Sequence, residues 1–253
     1  MRLLKINGTI NFMRLRIPAL AISTILILAS IGSLAVNQLN WGLDFTGGTL
    51  IEVGYPDKAN LDEIRQELNA ATFGDAVVQN FGSSHDVLIR LAPRDGVKSA
   101  DVGDQVMLAL RATGKEVDMR RIEFVGPNVG EELTEQGGLA MLTALICILI
   151  YVAMRFEWRF AISAIIANMH DVVIILGFFA FFQWEFSLTV LAAILAVLGY
   201  SVNESVVVFD RVRENFRKMR KADTVEVIDN AITRTLSRTV ITHTLTLTMV
   251  GSM

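Results

Sequence analysis

The chain of 253 residues has a single cysteine, Cys147. That excludes an intrachain disulfide and any metal site built on cysteines, and inside an apolar run the thiol reads as a small buried hydrophobe. There are three histidines and no His-rich metal motif, no phosphate-binding glycine loop and no nucleophile elbow. Nothing in the sequence therefore calls for a metal, a cofactor or enzymatic catalysis. Basic residues never cluster beside aromatic stacking positions, which argues against nucleic acid as a partner. What the chain has in excess is apolar residues, 52% of the total. Soluble domains sit at about 45–50%, so the surplus points to membrane segments.

A bilayer core of ~30 Å is crossed by about 20 apolar residues in a helix. Four stretches meet or approach that: 17–36, 137–154, 160–182 and 187–209. The third is interrupted by Asn168, His170 and Asp171, and the fourth by Asn203 and Glu204. A fifth starts at about 239 and is still apolar at Met253, so the chain is expected to stop in mid-helix. The small residues Ser33-Leu34-Ala35 would suit signal-peptide cleavage, but the apolar run before them is longer than a usual signal core and three more spans follow. Lys and Arg set the expected orientation. The arm 1–16 carries Arg2, Lys5, Arg14 and Arg16, the short link after 154 carries Arg155 and Arg159, and the segment 210–238 carries eight basic residues. Four alternating helices put all three on one side, which identifies that side as the cytoplasm. The expected map is a cytoplasmic arm 1–16, a first span 17–36, an outer domain 37–136 and a helical bundle 137–253.

Residues 37–136 read as a small α+β domain. "TLIEVGY" (49–55) is a strand, and Asn60 caps a helix bearing Leu61, Ile64 and Leu68. "AVVQNF" and "DVLIRL" follow as strands around a Gly82-Ser83-Ser84 turn. A helix over 101–112 buries Val102, Val106, Ala109 and Leu110, and "EVDMRRIEFV" is a last strand whose alternation slips at Arg120-Arg121, as at a bulge. The order β-α-β-β-α-β is that of the ferredoxin-like fold. His85, in a turn, reads as a solvated residue rather than a ligand.

Five segments, in order along the chain, carry a resemblance. "GLDFTGG" (42–48), "VGPNVGEEL" (125–133), "HD" (170–171), "GYSVNESVVVFDRVREN" (199–215) and "TLSRTVITH" (235–243) resemble the motifs of the SecF proteins in the SecD/SecF family. The resemblance implies a polytopic α-helical membrane protein of the RND superfamily. It implies six membrane helices, a periplasmic domain after the first, and no cofactor. The implied partners are SecD, the SecYEG channel with its motor SecA, an unfolded preprotein, and the lipid of the bacterial inner membrane. The implied activity is use of the proton gradient to promote protein export. Glu204 stands where the family usually has Asp, and the sixth helix and part of the fifth are not in this sequence. The competing reading is half of an RND-type exporter of small molecules. Such exporters usually carry both halves and two large outer domains in one chain.

An ionised carboxylate in hydrocarbon costs at least ~2.5 kcal/mol even on lenient scales, so Glu204 needs an inward-facing partner or a function. It shares a helix face with Tyr200 and Ser201. By resemblance, Arg238 is its relay partner, and a group pulled upward in pKa by desolvation and downward by an adjacent Arg can load and release a proton. Glu204 could instead be a protonated structural hydrogen-bonder. Asn168, His170, Asp171 and Asn203 form a second candidate polar cluster. Asp171 reads either as a second relay site or as a helix–helix clamp, worth only ~0.6 kcal/mol per hydrogen bond. Thr239, Thr242 and Thr246 line one face with Arg238, suited to holding water or to packing.

Overall fold

The computed structural model describes residues 8–93, 99–112, 114, 116–155 and 158–251. Arg2 and Lys5 of the basic arm lie outside the described residues. A 3-10 helix, Phe12–Leu15, leads into α1 (Arg16–Asn37), β1 (Asn40–Trp41), α2 (Leu43–Thr46), β2 (Gly48–Gly54), α3 (Leu61–Ala70), β3 (Val77–Phe81) and β4 (Ser83–Leu91). Then come α4 (Ser99–Arg111), β5 (Asp118–Val125), α5 (Pro127–Arg155), α6 (Trp158–Phe182), β6 (Glu185–Phe186), α7 (Leu188–Lys218) and α8 (Thr224–Gly251). Two compact units result. One is Asn40–Met141 with Glu185–Leu191, and the other is formed by the remaining segments.

The first unit carries a four-stranded sheet in the order β3-β4-β2-β5, with every neighbouring pair antiparallel. With α3 and α4 as its two crossovers this is the ferredoxin-like arrangement expected from the pattern. Alternation aims Ile51 and Val53 of β2, with Val87, Ile89 and Leu91 of β4, at one face. Ile64 and Leu68 of α3 and Val102, Val106 and Leu110 of α4 close over that face, and all are buried. Met107 joins them, whereas Ala109 is only partly covered. The Asn60 side chain accepts the Asp62 N–H at 3.2 Å and so caps α3. The expected bulge is present: Glu52 pairs with Arg121 and Val53 with Met119, leaving Arg120 as the extra residue.

Two features of this unit had no signal in the sequence. The four residues between the third and fourth apolar stretches, 183–186, contain β6, which pairs in parallel with β1 through Asn40↔Glu185 and Trp41↔Phe186. Arg90 fastens this pair, donating to the Trp41 carbonyl at 2.7 Å and meeting the Glu185 carboxylate at 3.0 Å. Asp44 accepts the Leu188 N–H at 2.8 Å and so caps the start of α7. The segments "GLDFTGG" and "VGPNVGEEL" also meet. A Cβ on Gly130 would lie 2.9 Å from the Gly47 nitrogen and 3.1 Å from the Phe45 carbonyl oxygen, so two backbones touch there. Gly47 and Gly48 have φ of +65° and +118°, the conformations only glycine adopts without strain.

The long helices outrun the apolar stretches that announced them. α5 starts at Pro127, ten residues before 137, with proline at the first helical position where its missing N–H is harmless. α7 continues nine residues past 209, to Lys218. The helix expected from about 239 begins at Thr224 instead, so the segment 210–238 is helical apart from a short turn around 219–223. Hydropathy marks the length of helix that lies in hydrocarbon, and the polar continuation of a helix leaves no such mark. Among the described residues, four helices are long and apolar enough to cross a membrane: Phe12–Asn37, Pro127–Arg155, Trp158–Phe182 and Leu188–Lys218. Cys147 is exposed rather than buried, on the outer surface of α5.

α1 and α6 run parallel along a seven-residue seam. Ser23 meets His170 and Ser30 meets Gly177. At the far end Gln183 donates to the Asn37 carbonyl at 3.3 Å and the Gln38 carbonyl at 3.2 Å. A Cβ on Gly177 would fall 2.2 Å from Ser30 Cβ, the close approach that small residues permit in membrane bundles. α6 presents Ala161 and Ala164 to Val152 of α5 and Val202 of α7. Its 25 residues span ~37 Å. Trp158 sits at one end and a ring cluster of Phe178, Phe182 and Trp184 at the other, the placement of interfacial aromatics. Arg155 pairs with Asp210 at 3.0 Å, joining the end of α5 to α7. The residues before α1 are tied to α8: the Met13 N–H donates to Asp229 Oδ1 at 2.8 Å and the Ile10 N–H to Thr233 Oγ1 at 3.0 Å.

Candidate functional site

Glu204 projects from α7 toward α8. Thr239 Oγ1 donates to its Oε2 at 2.8 Å and Thr242 Oγ1 to its Oε1 at 3.0 Å, so each carboxylate oxygen has its own hydroxyl. The Thr242 hydroxyl also lies 3.1 Å from the Arg238 carbonyl and 3.0 Å from that of Thr239. Its one hydrogen thus has three acceptors. A threonine in a helix routinely bonds the carbonyl four residues back, so this hydrogen can leave Glu204 without being orphaned. One turn along, Tyr200 meets His243 edge to face, with ring centroids 5.2 Å apart. Thr246 does not reach Glu204; its hydroxyl bonds the Thr242 carbonyl at 3.0 Å.

The arginine expected beside Glu204 is not there. The Arg238 side chain is exposed, and among the described residues no ion pair joins it to Glu204. On α8, Thr239 and Thr242 take the two carboxylate oxygens of Glu204, and the Arg238 side chain, although one turn from Thr242, stays on the exposed surface. Only its backbone carbonyl belongs to the site.

The second cluster forms in part. His170 Nδ1 and Asp171 Oδ1 are 3.0 Å apart. Asp171 Oδ2 accepts from the Ser201 hydroxyl at 2.7 Å, and His170 Nε2 is 2.7 Å from Ser23 Oγ. The chain Ser23–His170–Asp171–Ser201 thus crosses α1, α6 and α7. Two expected members are absent from it. Asn168 is buried, but its amide turns back to the Ala164 carbonyl at 2.8 Å, and its Oδ1 has no hydrogen-bond partner. Asn203 is exposed and stands apart from the cluster. Ser201 was placed on the Glu204 face by its spacing, but it turns to α6 while Glu204 turns to α8. Ser23 was missed. The available signal was the seven-residue spacing of Ser23 and Ser30 within α1.

Elsewhere, a cleft of about 250 Å³ in the α+β domain is lined by Tyr55, Asp57, Lys58, Asn60, Glu63 and Glu116 among others. Burial, then the carboxylates of Glu67 and Glu63, hold the Tyr55 phenol above its ordinary range, so it stays neutral. Among the described residues no group of three or more His, Cys, Asp or Glu is placed to hold a metal ion. His85 is exposed.

Comparison with known families decides what this arrangement belongs to. Residues 105–253 match the family model of the protein export membrane protein SecD/SecF, C-terminal, and residues 32–55 match the SecD/SecF GG motif. The chain belongs to the SecD/SecF family. The protein translocase subunit SecF of Vibrio alginolyticus is 57% identical over 250 residues, which is 98% of this chain and 79% of that protein. SecF of Pseudomonas aeruginosa is 49% identical, covering 97% and 80%, and SecF of Escherichia coli O157:H7 is 45% identical, covering 95% and 75%. The crystal structure of SecDF, a translocon-associated membrane protein from Thermus thermophilus, superposes with a TM-score of 0.84 at 33% identity over 95% of this chain. The chain spans 33% of that SecDF polypeptide. A second SecDF structure, in its Super-membrane-facing form, gives 0.66 at 32% identity, covering 97% of this chain and 34% of that one. The match to the GG motif contains Gly47 and Gly48, whose backbone conformations account for the glycine pair in physical terms.

Proposed function

We propose that this chain is an auxiliary subunit of the Sec preprotein translocase that acts with SecD, using the proton gradient to promote export across or into the bacterial inner membrane. The observation that carries the proton-coupled part is the Glu204 clasp. A threonine hydroxyl donates to a carboxylate and accepts from a carboxylic acid, and Thr242 has carbonyls to take its hydrogen when Glu204 is protonated. The site therefore satisfies both charge states of one intramembrane acid, which a fixed ion pair would not. Glu204 takes up a proton from the outer side, and Arg238 joins the cycle from α8 when the helices move or when SecD supplies the facing surface. The exporter alternative finds no support among relatives that are protein translocase subunits.

In this reading SecYEG with SecA delivers an unfolded preprotein, and the α+β domain meets it in the periplasm. The parallel α1–α6 pair supports a common side for the arm before α1 and the link before α6, and their arginines make that side the cytoplasm. With Cys147 replaced by Ala, a cysteine at Ser84 is expected to react with a membrane-impermeant maleimide in intact spheroplasts, and one at Ala222 only after lysis. The opposite pattern reverses the orientation.

The function itself is tested in inverted inner-membrane vesicles holding the full-length protein, SecD and the SecYEG channel. Preprotein protected from protease is measured with the proton gradient intact and collapsed. The gradient-dependent increment is expected to vanish when the subunit is removed and to return when it is restored. An increment that is indifferent to the subunit rejects the proposal.

A further inference from the structure

The polar chain across α1, α6 and α7 is more than packing requires. A clamp between Ser23 and Ser201 needs only neutral donors and acceptors, and an amide at each of 170 and 171 would supply them. The chain instead places an imidazole and a carboxylate side by side where four apolar stretches bundle. Their bonds are ordered by chemistry. Ser201 donates its hydroxyl hydrogen to Asp171 Oδ2, and His170 Nδ1 lies 3.0 Å from Asp171 Oδ1, so each carboxyl oxygen has its own partner. His170 Nε2 is left facing Ser23 Oγ at 2.7 Å. A serine there accepts from a protonated ring and donates to a neutral one, so Nε2 can gain or lose a proton without a broken bond.

Among the described residues no other ion pair reaches His170 or Asp171. α1 offers Ser23 and no ionisable group in the apolar run, and α5 meets α6 through Val152 beside Ala161 and Ala164. α7 offers Ser201 at the cluster itself. The next acid on α7, Glu204, is three residues on and turned to α8. On α6, Asn168 is turned to its own backbone. The imidazole and carboxylate are thus each other's only ionic neighbours among the described residues, at side-chain exposures of 30% and 37%.

We propose that His170 and Asp171 form a second proton-carrying site, positioned by Ser23 and Ser201 and linked to Glu204 through one turn of α7. A proton from the aqueous side binds neutral His170 at Nε2, giving an imidazolium paired with the Asp171 carboxylate. The Ser23 hydrogen turns to a carbonyl of the preceding turn of α1. Loss of that proton leaves a net negative pair, which draws more strongly on the Ser201 hydroxyl and so shifts the turn of α7 that ends at Glu204. The inference rests on the proton-driven reading of Glu204, but its first readout does not.

The test uses the full-length protein with SecD in lipid bilayers, the chain labelled with ¹⁵N-histidine and the His170 signal assigned by its loss in His170→Gln. Its imidazole nitrogens are expected to change protonation state as the bulk pH is varied over the range in which the complex stays intact. Ser201→Ala and Ser23→Ala are each expected to move the midpoint by at least half a pH unit, a threefold or larger change in proton affinity. In vesicles, Asp171→Asn is expected to displace the pH profile of gradient-driven export by about one unit. An imidazole that keeps one protonation state throughout that range overturns the proposal. So does an Asp171→Asn variant with a uniform loss at every pH and an unmoved profile, which is the behaviour of a clamp. If Glu204→Gln retains gradient-driven export, the relay at Glu204 fails while the His170 titration still stands or falls by itself.

Discussion

Glu204→Gln is expected to remove the whole gradient-dependent increment of preprotein export while leaving assembly with SecD intact. The amide has the size of the acid. Its oxygen accepts from one threonine hydroxyl, and its NH2 donates to the other, whose hydrogen passes to a backbone carbonyl. The α7–α8 contact therefore survives, and only ionisation is lost. Export by the variant is expected to equal wild-type export measured with the gradient collapsed. Glu204→Asp separates geometry from charge. Shortened by one methylene, the carboxylate reaches one of Thr239 and Thr242 more readily than both, and it keeps a substantial part of the activity because it still titrates. A Glu204→Gln protein that still responds to the gradient would return Glu204 to a structural role.

Gly48→Ala is expected to unlock the α+β domain. Gly48 has φ of +118°, and a Cβ there would lie 2.2 Å from the Leu91 carbonyl oxygen. That oxygen belongs to the backbone of β4, paired in the sheet with β2 and β3, and cannot swing aside as a side chain would. Backbone strain of ~1–3 kcal/mol and the clash add together, against a total domain stability of roughly 5–15 kcal/mol. A loss of ~3 kcal/mol lowers hydrogen-exchange protection at Ile51, Val53, Val87 and Ile89 on the order of a hundredfold, measured on the intact chain. Gly82→Ala is the control. Gly82 also has positive φ, +69°, but nothing lies within 4 Å of the added Cβ, so only the local strain of ~1 kcal/mol remains. Equal effects of the two substitutions would show that the Leu91 approach contributes nothing.

What the sequence announced and what it hid divide along physical lines. Strand alternation and helical spacing are local, and they located every element of the ferredoxin-like sheet, down to the extra residue at Arg120. Apolar runs located the spans, because hydrocarbon imposes a length on them. The same runs said nothing about where helices end, and so α8 begins at Thr224 and α5 at Pro127. The site was legible as a list of polar residues in apolar surroundings, but not as a set of contacts. Which neighbour each residue faces depends on helix rotation and side-chain direction: ~100° separates Asn203 from Glu204, while the Arg238 side chain, one turn from Thr242, stays exposed. Ser23 was not singled out because α1 carries several small hydroxyl residues, and only the partner on α6 tells which of them makes a contact. The two-residue pairing of β1 with β6 has no periodicity at all and exists only through the chain's return 145 residues later.

The bond from the Met13 N–H to Asp229 closes a loop of 216 residues. During synthesis at ~5–20 residues per second, roughly 10–40 s pass between the appearance of the 3-10 helix and that of its acceptor. For that interval the 3-10 helix has no Asp229 to hold it, so its fastening waits until the start of α8 has been made. A protease site placed before Phe12 would report on it, being cut in nascent chains that stop short of α8 and protected once residues 224–233 have been made.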